Sequence, residues 1–133
     1  MLKQRMACAL VMSALMSAGC THGFQSSAAG DVVDPAAAAK TVVLHVENKN
    51  LQTMELRTIL DDRSTFVGSV GGNDTTSILL DPSMFPAGFL YVVAIPGDGQ
   101  GRAIAGPLSV SKGNRILFTV SEILSASRAT VVR

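Results

Sequence analysis

The stretch "TVVLHVEN", residues 41–48, decides how the rest of the chain is read. Val42, Leu44 and Val46 alternate with Val43, His45 and Glu47. Successive side chains of a strand point to opposite faces, so a two-residue period predicts a strand with one buried face. β-Branched valines suit a pleated, half-buried surface.

Runs of the same texture follow to the end of the chain. They are "TMELRTIL" (53–60), "STFVGSV" (64–70), "TTSILLD" (75–81), "GFLYVVAI" (88–95), "RAIAGPLSV" (102–110), "RILFTV" (115–120) and "RATVVR" (128–133). The breaks "ENKN", "DDR", "GGND", "DPSMFPAG", "PGDGQG" and "SKGN" hold the Gly, Pro, Asn and Asp that tight turns require. No run of helical period appears after Lys40, although "SEILSAS" (121–127) has room for one helical turn. Short strands at such spacing predict an all-β sandwich or barrel. The expectation is a small antiparallel β-sandwich of about 7–8 strands over residues 41–133.

The expected core is Val42, Leu44, Val46, Leu56, Leu60, Val67, Leu80, Phe89, Tyr91 and Val93, then Ile104, Leu108, Val110, Ile116, Phe118, Val120 and Val131. Pro107 has no N–H for a ladder, so its strand should be an edge or carry a bulge. If consecutive strands run antiparallel, turns alternate between the two ends. The connections after the first, third, fifth and seventh strands then share one end. They hold Asn48, Asn50, Asn73, Asp74, Asp98 and Gln100, polar groups suited to contact with a partner.

Upstream the texture differs. Lys3 and Arg5 precede an uncharged, largely apolar run from Met6 to Gly19. That run is shorter than the roughly 20 residues a spanning helix needs. A basic start, an apolar middle and a small-residue end make a secretory signal peptide, residues 1–19. Ser17-Ala18-Gly19-Cys20 resembles the lipobox of bacterial lipoproteins, with Ser17 where that family usually has Leu. The resemblance implies a diacylglycerol on the Cys20 thiol, cleavage before it, and attachment to the membrane through that lipid. Thr21 follows, and Asp at that place marks inner-membrane retention in the family, so the resemblance points to the outer membrane. Cys8 lies inside the leader. Residues 20–40 read as the lipidated cysteine and a flexible tether rich in Ala, Ser and Gly. Within it "PAAAAK" has helix-favouring residues but is too short to hold a helix without packing.

The texture "VVLHVEN", "FVGSV", "LYVVAIP" and a closing C-terminal strand resembles small bacterial envelope lipoproteins. These carry one immunoglobulin-like or transthyretin-like sandwich without an assigned activity. The resemblance implies a fold and a compartment, and carries no site residues.

Composition narrows the functions. The chain has 11 basic and 10 acidic residues, and removing the leader takes away two basic ones. No basic patch suggests nucleic acid. A lipidated Cys20 leaves no free thiol, so the domain relies on its core rather than on disulfides. His45 needs convergent partners to bind metal or work as a base, and reads as a half-exposed strand residue beside Glu55 or Arg57. No G-x-S-x-G elbow exists. Asp61 and Asp62 are adjacent, which favours a turn over paired acid–base chemistry. "GDGQG" (97–101) is followed by strand texture, so it reads as a hairpin turn rather than a phosphate cradle or calcium loop. Asn73-Asp74-Thr75 has the form of a glycosylation sequon and reads as a turn. With Phe89 and Tyr91 assigned to the core, only Phe66 and Phe85 remain as aromatic platforms, too few for a sugar-binding face.

The expected function is therefore a non-catalytic, lipid-anchored protein of the bacterial cell envelope. Its sandwich would engage an envelope protein or the wall and needs no cofactor. The alternative is a sandwich that binds a small ligand or an ion.

Overall fold

The computed structural model describes residues 33–133. The expected leader, Cys20 and the expected tether as far as residue 32 lie outside the described residues.

Eight strands follow one short helix. They are β1 (Val42–Asn48), β2 (Met54–Leu60), β3 (Arg63–Val70), β4 (Thr75–Leu80), β5 (Phe89–Pro96), β6 (Ala103–Ser109), β7 (Arg115–Val120) and β8 (Arg128–Val132). They form two four-stranded sheets, in the order β4-β1-β7-β8 and β3-β2-β5-β6. The sheets stack as a β-sandwich, with β3 over β4 at one side and β6 over β8 at the other. All neighbouring pairs are antiparallel except β1 and β7, which run parallel from Val43↔Arg115 to Asn48↔Val120. The expected antiparallel β-sandwich is thus present, with this one parallel pair. Strict up-down alternation gives β1 and β7 the same direction, so their pairing has to be parallel.

The core lies between the sheets. Val42, Leu44, Val46, Leu80, Ile116, Phe118 and Val120 come from one sheet, and Met54, Leu56, Val70, Leu90, Val92, Ala94 and Ala103 from the other. Phe85 and Val110 close it from the connections. Leu60, Val67, Leu108 and Val131 pack against its margin, partly buried.

Three residues expected inside are not. Phe89, Tyr91 and Ile104 are 43%, 36% and 46% exposed. Strand β5 is apolar from Phe89 to Ile95, so no polar residue marks its outward face. Register decides instead: Leu56 pairs with Ala94 and Thr58 with Val92, which turns Leu90, Val92 and Ala94 inward. Val93 is buried on the other face, across from Arg57 and Ile104. Phe85, expected outside, is buried. The case against an aromatic face rested on the wrong phase, because Phe66, Phe89 and Tyr91 are all exposed.

Strand β6 is an edge strand and also bulged. Its register shifts opposite Leu90–Val92, where Gly106 and Pro107 intervene. Gly106 has φ +140°, and a Cβ there would lie 2.8 Å from the Tyr91 ring. A second bulge on β3 lies opposite Leu56/Arg57. Asp61 and Asp62 both adopt positive φ, 46° and 63°, between paired Leu60 and Arg63. That is the two-residue turn whose twist matches flanking strands.

Helix α1 (Pro35–Ala38) lies in the segment read as structureless tether. Pro35 suits its first turn, Asp34 Oδ1 caps it by accepting from the Ala36 N–H at 2.9 Å, and the Thr41 hydroxyl donates to the Ala37 carbonyl at 2.8 Å. A 3-10 turn at Pro82–Met84 begins the β4–β5 connection. Its cap, Asp81, is held below the ordinary aspartate range by the Ser83 N–H. A second 3-10 turn at Leu124–Ala126 fills the β7–β8 connection.

Candidate functional site

The β1–β2, β3–β4, β5–β6 and β7–β8 connections meet at one end of the sandwich, tied together by backbone bonds. The Asn73 N–H donates to the Asn50 carbonyl at 2.9 Å, Lys49 to Val120 at 2.8 Å, and Gly97 to Thr53 at 3.0 Å.

Asn48 is the hub. It ends β1 and is only 1% exposed. Its Nδ2 donates to the carbonyls of Gln52 and Gly71, both at 2.8 Å, and its Oδ1 accepts from the Asn50 N–H at 3.0 Å. A buried amide has two donors and one carbonyl to satisfy, and here all are used. Asn50 extends the network: its Oδ1 accepts from the Gln52 N–H at 3.0 Å, and its Nδ2 donates to the Glu122 carbonyl at 3.1 Å. The Gln52 side-chain amide then donates to Asp98 Oδ2 at 2.9 Å.

Asp98 Oδ1 accepts from the Gln100 N–H at 2.8 Å. The Gln100 N–H, and then the Gln52 amide, hold the Asp98 carboxyl below the ordinary aspartate range. Asp74 accepts from the Thr75 N–H at 2.8 Å. Asn73 stands at φ +51°, a conformation that Asn tolerates better than most residues. Gly72 lets the hairpins approach, since a Cβ there would fall 2.0 Å from the Leu51 carbonyl oxygen.

The six sequence-selected residues thus share one end, but most of their polar groups hold the loops in place. Asn48 is too buried to touch a partner. Asn50, Asp74 and Asp98 organise their own turns. Asn73 and the Gln100 side chain make no side-chain hydrogen bond among the described residues and remain exposed.

Beside these polar groups, this end also offers apolar side chains to solvent. Leu51 is 82% exposed and Ile123 is 70% exposed, the two highest values among the large hydrophobic residues described. They follow Asn50 and Glu122, the two residues joined by the cross-loop bond. Single exposed leucines are ordinary. Here two exposed aliphatic side chains stand on loops that the Asn50–Glu122 bond ties together. Attention to polar turn residues missed both. The available signal was Leu51 alone in the otherwise polar "ENKNLQT", and two adjacent large apolar residues in "SEILSAS", of which Leu124 packs against the core and Ile123 does not.

The other candidates resolve simply. His45 Nδ1 shares a hydrogen bond with the Ser77 hydroxyl at 2.8 Å, across the β1–β4 pair. Its expected neighbours Glu55 and Arg57 lie in the other sheet, where they pair with each other. No group of three or more His, Cys, Asp or Glu side chains converges among the described residues. Cys20 lies outside them.

No protein-family model matches the chain, and no curated sequence does. Among solved structures, an NMR structure of a protein from Eubacterium rectale is similar at 13% identity, with a TM-score of 0.43, covering 71% of this chain and 90% of that one. A superposition this loose carries no functional information. The chain is a small β-rich domain with a structural neighbour of no stated function.

Proposed function

We propose that this protein is a non-catalytic, lipid-anchored module of the bacterial cell envelope, and that its sandwich engages an envelope protein through the loop end. The anchor rests on the leader texture and on the lipobox-like Ser17-Ala18-Gly19-Cys20. The observation carrying the recognition surface is the Leu51/Ile123 pair, exposed on loops that Asn48, Asn50 and Gln52 hold rigid. Aliphatic side chains on ordered loops suit the apolar centre of a protein interface better than a polysaccharide wall. The strand order favours the transthyretin-like side of the resemblance. An immunoglobulin sandwich places its first strand beside its second, whereas β1 here lies between β4 and β7.

The test combines Leu51→Ser with Ile123→Ser in the full chain expressed in its native cell. Crosslinked partner should disappear while the melting temperature stays within the shift expected of about 0.5 kcal/mol, because neither side chain is packed. Retention of the partner refutes the surface. Cys20→Ala should abolish labelling by a fatty-acid probe and leave uncleaved precursor. Persistent labelling refutes the anchor.

A further inference from the structure

Strands β4 and β8 are the edges of one sheet, and β3 and β6 the edges of the other. An edge strand presents unpaired N–H and C=O groups, which proteins blunt with bulges, proline or charge. Strand β6 has Pro107 and a bulge, β3 has a bulge, and β8 starts with Arg128 and is followed by Arg133. Strand β4 has none of these devices. No residue from Thr75 to Leu80 is charged or proline, and the register with β1 is unbroken from Val42↔Leu80 to Glu47↔Thr75. We infer that β4 pairs edge to edge with β4 of a second copy of this chain.

The free backbone groups can be named. The Asn48 N–H donates to the Asp74 carbonyl at 2.9 Å, and the Val43 N–H to the Asn114 carbonyl at 3.0 Å. Even-numbered residues of β1 thus bond toward β4, and odd-numbered ones toward β7. Backbone groups alternate in direction along a strand. Thr76, Ile78 and Leu80 therefore bond β1, and Thr75, Ser77 and Leu79 turn their backbone to the open edge. The Thr75 N–H is taken by Asp74 Oδ1 at 2.8 Å. The N–H groups of Ser77 and Leu79, and the carbonyls of Thr75, Ser77 and Leu79, have no partner among the described residues. The edge is also accessible, since Thr75 and Leu79 are exposed.

What fits is a strand with a matching order of donors and acceptors, and β4 matches itself. An antiparallel twofold at Ser77 sets Ser77 opposite Ser77 of the copy, and Leu79 opposite Thr75 of the copy. The Ser77 N–H then donates to the facing Ser77 carbonyl, and the Leu79 N–H to the facing Thr75 carbonyl, each bond occurring twice by symmetry. Leu79 lies across from a Thr methyl group, and no like charges face each other within the pair. Asp74 and Asp81 flank the strand, but each carboxylate is turned onto its own backbone, toward the Thr75 and Ser83 N–H groups. Facing residues share one side of a sheet, so the two four-stranded sheets join into one continuous sheet with both cores on the same side. Strand β3 lies over β4, so the same twofold brings the two β3 strands together and adds area. Such a contact closes on itself and leaves no open edge to propagate. It uses neither Leu51 nor Ile123 and is independent of the loop-end surface.

The test is a cysteine substitution in the full chain, expressed in its native cell. Facing residues that exchange backbone bonds have Cα atoms about 5.5 Å apart, within the reach of a disulfide. Ser77→Cys should give a homodimer under mild oxidation, with the link mapped to position 77 of both chains by mass spectrometry of peptides. The parent chain controls for the native Cys8 and Cys20. Thr130→Cys, exposed on β8, should give no homodimer linked through position 130. Ser77→Lys sets two lysines opposite each other and should raise the dimer dissociation constant of the purified full chain roughly tenfold in sedimentation equilibrium, with its circular dichroism unchanged. If that variant does not fold, Leu79→Pro takes its place, because it removes a donor that points away from β1. The inference is overturned if position 77 forms no link to itself, if position 130 links as readily, if position 77 captures a different protein instead, or if the folded variant associates like the parent chain.

Discussion

Asn48→Ala should damage this domain more than any other substitution of a polar residue at the loop end. The change removes three hydrogen bonds of 2.8, 2.8 and 3.0 Å from a side chain that is 1% exposed. It leaves the Gln52 and Gly71 carbonyls and the Asn50 N–H without their partner. At about 1 kcal/mol for each bond, the cost is about 3 kcal/mol. For a domain of this size each kcal/mol lowers Tm by about 4–8 °C, so a fall of roughly 12–24 °C is expected. Asn48→Asp separates hydrogen bonding from shape. It keeps an acceptor for Asn50 but turns an oxygen, charged at neutral pH, toward two carbonyl oxygens. Its cost should match or exceed that of Ala at neutral pH and ease in acid. The assay is urea and thermal unfolding followed by circular dichroism, with an unchanged m-value showing that the denatured state is not the source. A fall of less than about 4 °C for Asn48→Ala would mean that water replaces the amide freely and that the loops do not depend on this hub.

Three further outcomes follow from other positions. Gly72→Ala should cost roughly 1–3 kcal/mol, because its Cβ would meet the Leu51 carbonyl oxygen at 2.0 Å and backbone must move; chemical denaturation reads this, and a neutral result means that the turn relaxes. Val92→Ala should destabilise by about 2 kcal/mol and Tyr91→Thr by less than about 1, and the reverse order would show that β5 is phased the other way. The Asp98 carboxyl titrates below its unfolded value, so its contribution is complete above the ordinary aspartate range and is lost as pH falls through the lower folded value. Asp98→Asn should therefore show a shallower loss of melting temperature between about pH 6 and pH 3 than the parent chain, and an identical slope contradicts the assignment.

The fold was largely readable from local signals, and the failures have separate physical causes. Strand β1 marks its inward face because His45 and Glu47 alternate with apolar residues, and Val42, Leu44 and Val46 are indeed fully buried. Pro107 announced an edge or a bulge through its missing N–H, and β6 has both. Strand β5 has seven apolar residues in succession, so its phase is set by pairing with β2 rather than by its own pattern. That ambiguity placed Phe89 and Tyr91 inside; on β6 it is Ala103, not Ile104, that faces the core. Helix α1 was missed because a single turn is marginal alone; its Asp34 cap and the Thr41 hydroxyl support it. At the loop end, up-down alternation identified which connections meet. It did not reveal which groups remain free, because Asn48 and Asp98 make good contacts and good turn supports with the same atoms.

The central claim is that recognition lies at the end bearing Leu51 and Ile123. Photo-crosslinking side chains introduced singly at positions 51, 123, 62 and 112 of the full chain, in the native cell, test it most directly. Positions 62 and 112 lie in the β2–β3 and β6–β7 connections, at the other end of the sandwich. Positions 51 and 123 should capture one and the same protein, and positions 62 and 112 should not. Capture from 62 or 112, with none from 51 or 123, would contradict the account.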